Sequence, residues 1–190
     1  RIERMGPDED LPTLIKRKDH LNVLRYARAH QLRNPDLILD HGKALLGENL
    51  DKKLSDQSAT LAALEQICLA ALDVQDHPLA EVALTKIQNS VGREPARFRA
   101  LLARCLEASG DKDSSRKIYE DILSDNPASL LALKRLYCLA PTQKEKMEAL
   151  NSYLEQNMAD SAAWYEMAKL RLSMADYKGA AYALEEAVLG

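Results

Sequence analysis

The chain has 190 residues, enough for one or two ordinary domains, and carries a formal net charge of −3. That slight acidic balance argues against nucleic acid as the main partner, because neutralising phosphates needs a cationic surplus. No apolar run approaches the roughly 18 residues that cross a bilayer as a helix, and an odd set of three cysteines (Cys68, Cys105, Cys138) without CxxC spacing defines neither a disulfide framework nor a zinc site.

Residues 1–13 hold Gly6, Pro7, the acidic run Asp8-Glu9-Asp10 and Pro12 without apolar periodicity, and read as a loosely ordered leader. Leu14, Leu21, Leu24 and Ala27 predict a first helix over 14–31. Asn34-Pro35 then opens a second, with Leu37, Ile38, Leu45 and Leu46 as its stripe and Gly47 as its stop. This pair, assigned to residues 14–55, reads as an amino-terminal cap. Further helices are expected near 57–73, 77–90, 95–109, 112–124, 129–139, 143–157, 161–174 and 177–189. Asp111 and Asp176 are placed to cap second helices, Asn126-Pro127 separates two repeats, and Pro141-Thr142 marks an internal turn.

Those helices repeat one pattern at a period of about 34 residues. The small anchors Ala80, Ser115, Ala149 and Ala180 recur at that step, as do the large residues Leu84, Tyr119, Tyr153 and Leu184. The fullest copy is Trp164-x2-Met167-Ala168 with Asp176-Tyr177, Ala180, Leu184 and Ala187. The most distorted carries Tyr137 where the others are small, so that the third repeat either splays or lets the ring slip to a wetted edge. A helix–turn–helix of this length is the tetratricopeptide (TPR) signature. It predicts an all-α, TPR-like α-solenoid, a right-handed superhelix of antiparallel helix pairs. Four repeats are expected, at about 61–95, 96–129, 130–160 and 161–190, in one continuous domain.

The sequence offers no catalytic constellation. His20, His30, His41 and His77 are scattered, no Gly-rich phosphate loop or GxSxG occurs, and neither enzyme activity nor a cofactor or metal is expected. The concave face lined by the first helix of each repeat is the expected partner surface. Projecting the period places Arg97, Arg104, Lys134, Tyr165 and Lys169 there, a mildly basic stripe suited to an acidic or carboxylate-bearing segment. A cytosolic adaptor or co-chaperone binding such a peptide is one reading, although the Asn residues that chaperone-tail clamps use are missing.

Leu150-Asn151-Ser152-Tyr153-Leu154-Glu155-Gln156, followed by Ala163-Trp164-Tyr165-Glu166-Met167-Ala168 and Asp176-Tyr177-Lys178-Gly179-Ala180-Ala181, resembles the family of subunit 2 of the ER membrane protein complex. Ile118-Tyr119-Glu120-Asp121-Ile122-Leu123 through Asn126-Pro127 does so too, and the likeness runs over about residues 20–190. The resemblance implies a non-enzymatic scaffold, cytoplasmic and peripheral at the ER membrane. Such a subunit braces the cytosolic ends of the membrane-embedded subunits of an insertase for transmembrane helices, and also docks another soluble subunit. Family members continue for further helices, so this chain reads as an amino-terminal and central portion that would self-associate, when isolated, through its carboxy-terminal end.

Overall fold

The computed structural model describes residues 10–47 and 57–189, and every regular element among them is an α-helix. In chain order these are α1 (Leu11–Lys16), α2 (His20–Ala29), α3 (Pro35–Gly47), α4 (Gln57–Asp73), α5 (His77–Val91), α6 (Ala96–Ser109), α7 (Lys112–Asp125), α8 (Leu130–Leu139), α9 (Gln143–Gln156), α10 (Ser161–Ser173) and α11 (Tyr177–Leu189). They form two compact units, one ending at Ser109 and one beginning at Gly110. That division falls between the two helices that the repeat template assigns to its second copy.

Helix starts are set by side-chain caps. Asp19, Asp76, Asp111, Asp160 and Asp176 each accept the backbone N–H three residues on, as Thr142 does from Glu145 and Asn34 from Leu37. Each cap satisfies one of the donors that the first helical turn leaves without an intrahelical acceptor. Four of these aspartates follow a residue in the left-handed region: Lys18 (φ 56°), Gln75 (φ 62°), Gly110 (φ 92°) and Ala175 (φ 59°). A left-handed residue followed by an Asp cap is therefore the local device that turns one helix into the next. Gly110 alone adopts that conformation without a Cβ penalty.

The device also corrects the first expected helix. The run over 14–31 is broken at Arg17-Lys18, where the chain turns left-handed and Asp19 recaps it. Pro12, expected in the leader, lies in the first turn of α1, where its missing N–H has no acceptor to lose. Residues 1–9 of the leader, and 48–56 of the expected cap, lie outside the described residues.

In the amino-terminal unit, consecutive helices from α2 to α6 pack on one another, and α4 also touches α2 and α6. Helices α2, α4 and α6 thus lie side by side, with α3 and α5 behind them. Leu24, Leu39, Leu64, Ile67, Cys68, Ala83 and Phe98 fill the space between, nearly all of them solvent-inaccessible. Burying each large side chain of this kind contributes about 1.5–3 kcal/mol. Gly42 sets the spacing of α3 and α4, since a Cβ there would lie 2.6 Å from Ile67 Cγ1. Cys68 Sγ is 3.8 Å from Cys105 Sγ across the α4–α6 contact.

In the carboxy-terminal unit α7 to α11 pack in succession, and Leu133, Tyr137, Leu150, Tyr153, Leu154, Met167 and Ala168 make the core. The methyl-sized Ala168, Ala180 and Ala183 let α10 and α11 approach closely. The Tyr137 ring does not slip to a wetted edge: the residue is 7% exposed, and its ring tilts against Tyr153 at 5.8 Å between centroids. Leu184, at the large-residue position, is 39% exposed, and Val188 and Leu189 beyond it are more so, with no described helix packed over them.

Two substitutions read out this packing. Ser115 occupies an anchor position that is alanine in the other three copies; it is fully buried and its Oγ lacks a hydrogen-bond partner. Ser115→Ala is expected to stabilise the protein by about 1 kcal/mol, raising the thermal midpoint by roughly 2–4 °C. His41 is buried between α2 and α3 with its Nδ1 2.9 Å from that of His20. Burial, reinforced by the His20 charge and opposed by Asp40, holds its pKa below the ordinary imidazole value. The unfolded ring takes up a proton near pH 6.5 while the folded ring resists it, so stability falls as pH drops below about 6.5. Thermal unfolding followed between about pH 7.5 and pH 5.5 is expected to show that loss, and His41→Leu to flatten it.

Candidate partner-binding groove

The layer of α2, α4 and α6 carries a cavity of the amino-terminal unit. Two of the expected surface residues sit on α6. Arg97, in its first turn, is ion-paired with Glu65 of α4 and remains 75% exposed at its side chain. Two turns further on the same face, Arg104 lines a cavity of about 380 Å³ together with Arg28 and Gln31 of the α2 end, Gln66 and Asp73 of α4, and Arg33 of the α2–α3 turn. Arg33 spans the rim to Asp73 at 3.3 Å.

Arg28 has no such partner. Its Nη1 is inaccessible and lacks an acceptor, as does Gln66 Oε1 on the same cavity wall. Desolvation lowers the Arg28 pKa most; the like charges of Arg25 and Arg97 act in the same direction and Glu65 opposes them. A guanidinium stays protonated through any such shift, so the group is a half-buried cation held among cations. The expected stripe did not include Arg28, because α2 was read as a cap rather than as part of the groove layer. The available signal was Arg25 and Arg28, three residues apart, with Arg28 beside Leu24 at the border of the apolar stripe of Val23, Leu24 and Ala27.

In the carboxy-terminal unit the expected cations are engaged locally. Lys134 of α8 donates to Asp160 Oδ2 at 3.2 Å and lies 5.7 Å from the Tyr153 ring centroid. The Tyr153 hydroxyl donates to the same oxygen at 2.6 Å and accepts from Asn157 Nδ2 at 2.9 Å, while Asp160 Oδ1 caps α10 by accepting from Ala163 N–H. The Tyr153 hydroxyl is the main cause that lowers the Asp160 pKa, and the hydrogen bond to Asp160 in turn raises that of Lys134. Lys169 of α10 pairs with Glu166 one turn earlier and sits 5.1 Å from the ring centroid of Tyr165. Tyr165 itself is 53% exposed. Among the described residues, no group of three or more His, Cys, Asp or Glu side chains could hold a metal ion.

The family model for the EMC2 TPR-like repeat domain matches residues 78–190. The chain belongs to the ER membrane protein complex subunit 2 family. Its relatives include the subunit 2 proteins of Dictyostelium discoideum, 29% identical over 88% of this chain, and of Xenopus laevis (form 2-B), 31% identical over 90%. The chain spans 52% and 58% of the length of those two proteins. Among solved structures, a MamA RS-1 double mutant superposes with a TM-score of 0.57 at 16% identity, covering 90% of this chain and 93% of that one. YrrB, described as a TPR protein with an unusual peptide-binding site, gives 0.51 at 15% identity, covering 88% and 92%. At such identities these two speak for the fold, a TPR-like α-solenoid.

The Lys134 contacts make stability the readout for that residue. Tyr153→Phe removes a hydrogen bond to a carboxylate and is expected to cost about 1.5–3 kcal/mol. Lys134→Gln, at a half-exposed ion pair, is expected to cost only about 0.2–1 kcal/mol. Chemical denaturation of both variants checks the ranking; an unchanged midpoint for Tyr153→Phe would remove the network from the account of the α8–α10 corner.

Proposed function

We propose that this chain is the repeat portion of a cytosolic scaffold subunit that braces the membrane-embedded subunits of an ER insertase and so supports insertion of transmembrane helices. The observation that carries the proposal is the family match across residues 78–190, with relatives named as subunit 2 of the ER membrane protein complex aligning over about nine-tenths of the chain.

The physical form suits that role. Within each unit, packed helices offer broad side-chain surfaces over a shared core, so partner contacts are gathered from several elements rather than from one loop. No described helix is long and apolar enough to cross a membrane. In this reading the chain meets the ER membrane through its partners, as a peripheral protein on the cytoplasmic side. Of the residues expected on the partner face, Arg104 and the exposed Tyr165 are the anchors. Arg97, Lys134 and Lys169, each paired with a neighbouring carboxylate, serve as rim charges whose contribution to affinity is small. The adaptor alternative, a groove that takes an acidic peptide, draws its support from the cavity around Arg28 and is compatible with the scaffold role.

Affinity capture of the tagged protein from detergent-solubilised membranes tests the proposal. Recovery with multi-spanning membrane proteins is expected, whereas recovery with soluble chaperones alone overturns the scaffold reading.

A further inference from the structure

The cavity between α2, α4 and α6 has the composition of a site rather than of a packing defect. Three guanidinium groups, those of Arg28, Arg33 and Arg104, share it with one carboxylate, Asp73. The Arg33–Asp73 pair is closed on itself, which leaves Arg28 and Arg104 uncompensated on the wall. Glu65, the other acid near Arg28, is engaged by Arg97. Taking a guanidinium out of water without an anion is costly, and a bidentate carboxylate is the group whose geometry best compensates the planar fork.

We propose that this cavity is a carboxylate-binding site that takes an acidic side chain from a segment of a protein partner, gripped by Arg28 and Arg104. The inference rests on the reading of the chain as a protein-binding scaffold and gives that scaffold a specific contact. Charge complementarity selects the occupant. Two uncompensated cations suit one or two carboxylates, and the nearby Asp73 penalises a doubly charged phosphate more than a singly charged carboxylate. Ile38 and Leu69 supply an apolar wall for the methylene stem of a glutamate and for aliphatic residues beside it. Gln66 lies on the same wall with an amide oxygen that has no hydrogen-bond partner.

The test uses the purified chain and a rhodamine-labelled heptapeptide carrying three glutamates and two leucines, compared by fluorescence anisotropy with its glutamine counterpart. The glutamate peptide is expected to bind and the glutamine peptide to bind about tenfold or more weakly. Arg28→Gln and Arg104→Gln are each expected to weaken binding about tenfold or more, Arg28→Lys to fall between, and Lys144→Gln, at an exposed lysine of α9 away from the cavity, to stay within about twofold. A thermal melt of each variant separates binding from folding; if Arg28→Gln unfolds early, the partly exposed Arg104 carries the test. Equal binding of both peptides overturns the proposal, as does indifference to the Arg104 substitution. So does displacement of the peptide by millimolar inorganic phosphate, or capture of phosphatidylserine-containing vesicles, through the same arginines, since either makes the site one for phosphate groups. The assay contains no membrane subunit, so its failure leaves the scaffold reading to the capture experiment, and a failed capture leaves the peptide result standing.

Discussion

The close approach of neighbouring helices is the constraint on which this structure depends. Two helices can bring their backbones together only where a side chain is small. Ala168 and Ala180 supply that place for α10 and α11, Ala80 and Cys68 for α5 and α4, and Gly42 opposite Ile67 for α3 and α4. Interiors packed at crystal density tolerate neither an added methylene nor a void, so each small residue fixes the size of what faces it. Tyr119, Tyr153 and Met167 then fill the space that remains within their unit. The buried hydroxyl of Ser115 departs from the pattern, and the hydrogen-bond network gives no reason for it.

Polar groups take their positions from the same architecture. Asp160 is at once the cap of α10, the acceptor for Tyr153 and the partner of Lys134, so one carboxylate satisfies a helix end and neutralises a cation that the repeat template had assigned to the binding surface. Charges that lie within a turn of an acid on a neighbouring element spend their field locally and offer little to an incoming partner. Arg28 differs because the elements packed around it supply other arginines and an already engaged glutamate. An uncompensated, half-buried cation is the observation on which the proposed carboxylate site rests.

Much of the fold was legible before any coordinates. The helices from α3 onward begin and end within a residue or two of the expected bounds, because apolar spacing, Asn34-Pro35, Asp111, Asp176 and Pro141-Thr142 are local signals whose effect is confined to a turn of chain. The break at Lys18-Asp19 escaped notice because the apolar pattern of α1 runs in phase with that of α2. Only the left-handed turn, which Lys shows without a sequence signature, separates them. Periodicity put Arg104 on the first helix of its pair, but it shares a cavity with Arg28, Gln66 and Asp73 only because α2 lies against α4, a contact between segments some 40 residues apart that no local pattern encodes.

The sequence by itself determined the helical class, the period of the repeat and the family, since each follows from residues read against their own neighbours along the chain. Tertiary structure decided which charges are free. Whether Lys134 meets an unshared acid, or Arg28 only one already paired with Arg97, depends on distances between helices, set by the anchors and the side chains that fill the gaps around them. Charge is written in the sequence, but its compensation is a property of packing.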